Sequence, residues 1–361
     1  MVADRKISKP GKIKKTSSRF FSKTSDIKVG IVGYGGAFNM GRQHLMQIQK
    51  VGMTPTAVAE LDESRLAVAA ADFPEISTHK TLEEMLKKSD VNLVIIITPH
   101  NTHAPLAMKC LRAGRHVVCE KPLALKTSEV DKMIAAAKNS GVVLTTYHNR
   151  HWDGWIIDAV KRIKKERLIG EIVRIDCRMG YRSQPRDWWR SSRSISGGLL
   201  YDWGVHLLEY CLQLIDSEVI EVSGFAHNGY WTPFTRWKSD TVEDEAKAVL
   251  RFKSGQWVSL AITHIDSNPK SGFMEITGTQ GSYIIDWNNY SVIKRDGANE
   301  SIQRGLHSES LHEKFYENLR DHLVAAKPLV ITPEWSRRPI HFIELACRSA
   351  RAGRALPTRY G

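Results

Sequence analysis

The sequence predicts a two-domain α/β protein: a doubly wound parallel sheet, followed by an α/β domain on a large open, mostly antiparallel sheet. Three observations predict it. From residue 26 to about 148, short β-branched runs alternate with amphipathic stretches. A glycine cluster follows directly on the first of those runs. Beyond residue 150 the rhythm changes to long strand-like segments punctuated by Gly and Asn turns. A chain of 361 residues is long enough for two domains. Its 42% hydrophobic and 25% charged residues are the balance of a globular protein, which excludes wholesale disorder and a disulfide-built miniprotein.

In chain order, Ile27–Val32, Thr56–Ala59, Leu93–Ile97, His116–Cys119 and Val142–Thr146 read as strands. Between them, His44–Val51, Glu63–Asp72, Leu82–Lys88, Pro105–Ala113 and Ser128–Asn139 carry apolar faces at helical spacing. Thr81 is placed to cap the third helix, and Gly114 and Gly141 to end the fourth and fifth. Strand and helix repeated this way imply parallel strands covered on both faces. The second half opens with a helix at Trp155–Leu168. Strands are then expected at Ile172–Tyr181, Val219–Ala226, Ala246–Phe252, Trp257–Ile265, Phe273–Thr277 and Tyr283–Asp286. A helix at Gly198–Leu214 is inserted among them, and a final helix at Arg338–Gly353 is free to pack back on the first domain.

A net charge of +13 raises the question of nucleic acid. Residues 1–25 hold eight lysines and arginines against Asp4, so +7 of the excess sits there and +6 on the remaining chain. The segment lacks hydrophobic periodicity and is expected to be a solvated, disordered tail. Nucleic acid is therefore not an expected partner. The longest strongly apolar run, Leu93–Ile97, falls far short of the ~20 residues that cross a bilayer. Five scattered cysteines without metal-ligand spacing fit buried free thiols, no metal site and a reducing cytoplasm.

Gly33-Tyr34-Gly35-Gly36 follows the first strand. Glycines there let the backbone turn and approach a pyrophosphate, which the next helix's N-terminus stabilises. A third glycine is expected at position 38, where Phe38 stands; Ala37-Phe38-Asn39 reads as an insertion, after which Met40-Gly41 resumes the helix entrance. Glu60 ends the second strand, 25 residues beyond Gly35. Its carboxylate can accept hydrogen bonds from ribose hydroxyls and would repel a 2′-phosphate, which points to NAD over NADP. Asp62 is the alternative acid, and Arg65 could instead meet a phosphate, so NADP stays open.

Glu120-Lys121-Pro122 ends the fifth strand, and ligands of open parallel sheets bind beyond the strands' carboxyl ends. Asp202 and His206 are four residues apart on one expected helix, hence on one face. With these residues in view, the chain from about 26 to 358 resembles the Gfo/Idh/MocA oxidoreductases. The resemblance is carried by Val29-Gly30-Ile31-Val32-Gly33-Tyr34-Gly35-Gly36, Thr98-Pro99-His100-Asn101-Thr102-His103 and Glu120-Lys121-Pro122. Gly197-Gly198 leading to Asp202 and His206, and Glu275-Ile276-Thr277-Gly278-Thr279-Gln280-Gly281, complete it.

The resemblance implies a Rossmann dinucleotide-binding domain at 26–148 and a substrate-binding and oligomerisation domain at 149–337. Residues 338–361 are a C-terminal helix and tail. It implies cofactor contacts from Thr98, Pro99, His100, His103, Glu120 and Lys121, and assembly as a homo-dimer or homo-tetramer. The implied reaction is oxidation of a hydroxyl on a sugar, inositol or related polyol, with Lys121, Asp202 and His206 as the catalytic set. His206 would take the hydroxyl proton, Lys121 would hydrogen-bond the reacting oxygen, and Asp202 would orient the substrate. In His148-Asn149-Arg150-His151-Trp152, Arg150 matches the family pattern and His151 departs from it.

Seven of the ten tryptophans fall between 152 and 237, and Arg182, Arg186, Arg190 and Arg193 surround Trp188-Trp189. Aromatic faces suit sugar C–H faces, and arginines fork onto hydroxyls or carboxylates. Trp188, Arg190 and Tyr201 are the residues expected in the substrate pocket, with the other tryptophans in the core or at subunit contacts. Two other readings compete with a dehydrogenase: an enzyme that uses transient oxidation by bound NAD to cleave a glycosidic bond, and a non-catalytic cofactor-binding regulator.

Overall fold

The computed structural model describes residues 19–358. The first domain runs β1 (Lys28–Val32), α1 (Met40–Lys50), β2 (Thr54–Ala59), α2 (Glu63–Asp72), β3 (Ser77–His79) and α3 (Leu82–Lys88). It continues with β4 (Leu93–Ile96), α4 (His103–Arg112), β5 (His116–Cys119), α5 (Thr127–Ser140) and β6 (Leu144–Thr146). The strands are parallel in the order β3-β2-β1-β4-β5-β6, so the winding reverses between β1 and β4. β4 lies at the centre with all four residues buried, and its side chains divide by parity. Leu93 and Ile95 join one core with Val29 and Ile31; Val94 and Ile96 join the other with Val32. Each such side chain contributes about 1.5–3 kcal/mol of burial. The helix ends follow local chemistry. Thr81 Oγ1 accepts from the Glu84 N–H at 3.1 Å, and Gly141 closes α5 at φ 65°.

The second domain contains α6 (Gly154–Val160), β7 (Ile172–Gly180), α7 (Arg193–Ser196), α8 (Val205–Leu214), β8 (Val219–His227), β9 (Glu245–Phe252) and β10 (Trp257–Thr263). Then come β11 (Met274–Gly278), β12 (Gly281–Ile285), β13 (Asn289–Asp296), β14 (Asn299–Leu306), α9 (Lys314–Ala325), α10 (Pro333–Ala352) and β15 (Leu356–Pro357). Nine strands form one sheet in the order β14-β13-β12-β11-β7-β10-β9-β8-β15, antiparallel except at β7–β10. α10 packs against α5, α8 and β8 and so ties the sheets together. No helix of the described residues is long and apolar enough to cross a membrane.

Several expectations need correction. Residues 1–18 of the expected disordered tail lie outside the described residues, but the rest of that segment is seated on the first domain. The N–H groups of Phe20 and Phe21 donate to the Leu323 carbonyl, and both rings pack on His116. β3, β13, β14 and α9 were not expected. β3 has three residues, and every residue of β14 but Gly305 is exposed, so neither shows an apolar alternation. α9 buries Phe315, Tyr316, Leu319 and Leu323 in the core of the first sheet, so the chain returns to that sheet well before residue 338. α10 begins at Pro333 rather than 338; Thr332 caps it, and Pro333 takes the first-turn position where a missing N–H costs nothing. The helix expected at 155–168 passes from α6 into a wider π-turn at Lys161–Lys165.

At Gly224 a Cβ would lie 1.9 Å from the Ala346 carbonyl oxygen, so β8 and α10 meet backbone to backbone. Gly224→Ala is expected to destabilise the fold by about 1–3 kcal/mol through overpacking. Thermal melting would read this as a lowered midpoint; an unchanged midpoint would mean that this contact does not hold the helix.

Candidate functional site

The glycine loop follows β1. Gly33 has φ 94°, and a Cβ there would lie 2.5 Å from the Ile97 carbonyl oxygen. At Gly35 a Cβ would meet nothing within 4 Å, so the backbone faces open space. Asn39, the residue before α1, is left-handed (φ 50°) and makes no side-chain cap bond to the helix. The first N–H groups of α1 are thus left without a side-chain acceptor, a setting suited to a phosphate. Glu60 stands across the loop. Its carboxylate accepts from the Tyr34 N–H at 2.6 Å and the Asp62 N–H at 3.1 Å, and retains lone pairs for two further donors. These features fit a dinucleotide: Gly33, Gly35 and the start of α1 for the pyrophosphate, Glu60 for a ribose.

A cavity of about 1040 Å³ runs from this loop to the second domain. Gly33, Gly35, Ala37, Phe38, Met40, Glu60, Thr98, Pro99, His100, His103, Glu120 and Lys121 all line it, as do Arg150, Arg190, Asp202 and His206. Gly36, Asn39 and Arg65 do not. The Arg65 guanidinium is folded against Gly36, 2.2 Å from where a Cβ would stand. Asp62 does not line it either; it caps α2, accepting from the Ser64 N–H at 2.8 Å.

Lys121 and Asp202 meet across the domain seam. The Lys121 ammonium donates to Asp202 Oδ1 at 2.5 Å and to the Asp202 carbonyl at 3.1 Å. Behind it, Glu120 accepts from the Lys121 N–H at 3.0 Å and from His44 Nε2 at 3.2 Å; His44 Nδ1 in turn accepts from the Tyr316 hydroxyl. Burial raises the Glu120 carboxyl, but His44 and Lys121 outweigh it and hold it below its ordinary value. Asp202 lies in a π-turn at Leu200–Gly204, just before α8. The expected regular helix is therefore widened between Asp202 and His206, yet both side chains reach the same cavity. Burial alone would raise the Asp202 carboxyl; Lys121 and Arg190 hold it well below the usual carboxylate range.

His206 is buried, and its Nδ1 has no hydrogen-bond partner. Burial, then the Lys121 and Arg150 charges, press its imidazole well below the ordinary value, so it is neutral at pH 7. His100 and His103 serve the seam and the strand ends. His100 Nδ1 donates to the Ser196 carbonyl of the second domain at 2.8 Å, and His103 lies between the carbonyls of Thr98 and Pro122. His151, the residue that departs from the family pattern, turns away and hydrogen-bonds buried Glu209.

Two expected pocket residues are not in the main cavity. The Tyr201 hydroxyl donates to the Leu125 carbonyl at 2.7 Å, and the ring is buried. Trp188 lies behind Arg190, and its neighbour Trp189 lines the cavity instead. Trp203 and His312 also line it and were missed. His312 Nε2 donates to buried Asp153, which also accepts from Tyr210 and from Arg150 at 3.3 Å. His312 lies more than a hundred residues beyond Asp153, and no motif marks it. The inserted Phe38 packs on Trp188 at 5.8 Å between centroids, with the Arg190 guanidinium 5.1 Å from its ring centre. Among the described residues no group of three or more His, Cys, Asp or Glu side chains could hold a metal ion.

Fold and cleft together define a two-domain dinucleotide-binding oxidoreductase, and comparison with known proteins agrees. Residues 27–148 match the oxidoreductase family with an NAD-binding Rossmann fold, and 157–284 match the GFO/IDH/MocA C-terminal domain. The chain belongs to the Gfo/Idh/MocA family. It is 32% identical over 193 residues to scyllo-inositol 2-dehydrogenase (NADP(+)) IolW of Bacillus subtilis, covering 53% of this chain and 52% of that one. It is 28% identical over 267 residues to myo-inositol 2-dehydrogenase of Thermotoga maritima, covering 72% and 75% respectively. The chain thus spans about half the length of the first of these relatives. An NAD-binding protein from Listeria innocua superposes with TM-score 0.78 at 25% identity, over 92% of this chain and 97% of that one.

With its imidazole pressed down by burial and cations, His206 is expected to stay neutral as the pH falls through ~6.5, where a free imidazole would protonate. NMR titration of its ring signals reads this directly. A midpoint at or above ~6.5 would contradict the assigned environment.

Proposed function

We propose that this protein is an NAD-dependent dehydrogenase acting on a CH–OH group of a sugar, inositol or related polyol. The observation that carries the reading is the meeting of Lys121 with Asp202 at 2.5 Å beside neutral, buried His206, in the cleft that begins at Gly33 and Glu60. The names of the two inositol dehydrogenases support the substrate class. A nicotinamide bound in this cleft would supply the acceptor for the hydride that leaves the substrate carbon. His206 accepts the hydroxyl proton, which its neutral state at pH 7 allows. Lys121 donates a hydrogen bond to the same oxygen and stabilises the charge developing there. Asp202 holds the ammonium in place and offers its second oxygen, Oδ2, to a neighbouring hydroxyl. Arg150, Trp189, Trp203 and His312 wall the substrate end.

Glu60 supports NAD over NADP, because a 2′-phosphate would approach a carboxylate; Arg65, folded on Gly36, lies outside the cavity wall. The Bacillus relative takes NADP(+), so this preference belongs to the chain's own residues. Free cysteines at all five positions support a cytoplasmic location, and the open nine-stranded sheet supports assembly as a homo-dimer or homo-tetramer.

An NADH-formation assay over inositols, aldoses, amino sugars and uronic acids tests the reading; inactivity throughout would refute it. With an active substrate, His206→Ala is expected to lower turnover ~10²–10⁴-fold, and full retention would remove His206 from the proton step. Glu60→Ala is expected to cost about 1.5–3 kcal/mol of NAD binding, roughly ten- to a hundredfold, with little effect on NADP. Tighter binding of NADP than of NAD by the unaltered protein would overturn the preference.

A further inference from the structure

Next to the main cavity lies a second one of about 250 Å³, and the two share Arg190 and Asp202 in their walls. It is smaller than the ~300–1,000 Å³ typical of whole-ligand sites, so it suits one part of a ligand that begins elsewhere. Its wall is built from the loop after β7 and from the loop after β10, which brings in His264. That wall is held in place: the Ser183 N–H and the Trp231 indole N–H both donate to the His264 carbonyl, at 3.1 and 3.0 Å. Ser183 Oγ lies 3.3 Å from His264 Nδ1, and the Gln184 amide donates to the Phe234 carbonyl at 2.6 Å.

The chemistry of the wall is specific. Trp188 and Tyr181 supply aromatic surface. Ser183, Gln184 and His264 supply neutral hydrogen-bonding groups, Arg186 adds an exposed guanidinium 5.9 Å from the Trp188 ring centre, and Asp202, the acid in the wall, is already paired with Lys121. Arg190 stands where the two cavities meet. Its guanidinium lies 4.3 Å from the Trp189 ring centre and 5.1 Å from that of Trp188, with its Nε 3.8 Å from Asp202 Oδ2. Held against two indoles, it keeps donors for an oxygen bridging the cavities. Aromatic faces with neutral hydrogen-bonding groups match the C–H faces and hydroxyls of a sugar ring.

We propose that the second cavity is an extension subsite, so that the substrate is a glycoside or disaccharide whose oxidised ring lies at Lys121 and His206 and whose second ring lies against Trp188. This rests on the dehydrogenase reading above. Arg190 would donate to the glycosidic oxygen between the rings. Phe38, packed at a tilt against Trp188, makes the glycine-loop insertion part of the support for the second ring.

The test compares NAD reduction by the purified full-length protein with monosaccharides, their methyl glycosides, disaccharides of the same first ring, and the matching uronic acids. The expected result is a kcat/KM at least tenfold higher for a disaccharide than for its monosaccharide and methyl glycoside. Trp188→Ala should cut that ratio at least tenfold, and Arg186→Ala, at an exposed position, gives a second reading should the tryptophan variant fail to fold. Equal kcat/KM for the one-ring and two-ring sugars, or a ratio that neither variant moves, overturns the subsite while leaving the dehydrogenase intact. A uronic acid preferred over both would make the cavity an anion site and also overturn it. Reduction of NAD by no sugar at all would refute the dehydrogenase reading, and the subsite with it.

Discussion

The contact between Lys121 and Asp202 depends on almost everything else in the molecule. Lys121 hangs from the end of β5 in one sheet; Asp202 sits in the π-turn that leads into α8 beneath the other. Neither domain alone can form the pair, so the contact at 2.5 Å exists only because the two domains meet along this seam. The joints are polar and short. His100 reaches the Ser196 carbonyl, Tyr201 reaches the Leu125 carbonyl, and Thr127 bonds Glu344 of α10. A half-buried ion pair of this kind contributes little to net stability, because desolvation offsets much of the attraction. Its value lies in position: each charge fixes the other where a reacting oxygen could sit.

The same seam explains the charge states. Lys121 and Arg190 each face Asp202, whose carboxyl they hold ionised, and Arg150 lies 3.3 Å from the Asp153 carboxyl. Neutral imidazoles fill the remaining space because burial and those cations both oppose protonation at His100, His148 and His206. The site therefore holds fixed cations, fixed anions and an uncharged base in one cleft, an arrangement that lets one proton move without recharging the surroundings.

How much of this was legible in the sequence follows from which forces leave a local trace. The parallel sheet was readable because strands such as Leu93–Ile96 are buried on both faces and appear as unbroken apolar runs. Lys121, Asp202 and His206 were readable because two short motifs sit at strand and helix ends. β13 and β14 were not: β13 buries only Tyr290 and Val292, β14 leaves Ile302 and Leu306 exposed, and the hairpin is built by pairing across the turn at Gly297. α9 was hidden because its apolar stripe answers to the first sheet, far away in sequence. His312 and Trp189 were illegible for a related reason. What makes His312 a wall residue is its bond to Asp153, and only the folded chain brings them together.

Trp188 and Tyr201 show the limit from the other side. Aromatic residues next to a motif were expected to face the ligand, but a tyrosine whose hydroxyl finds a carbonyl can be buried in the seam at no polar cost. Tyr201 does this at Leu125. Trp188 lacks such a partner inside the seam and stays half-buried at the edge of the second cavity, between Phe38 and Arg190. Composition could place both near the substrate, whereas their roles depend on which polar atom each could satisfy. The inserted loop at Ala37–Asn39 thus belongs to both halves of the site: its backbone leads into the helix that would receive a phosphate, and its one large side chain covers the far wall of the cleft.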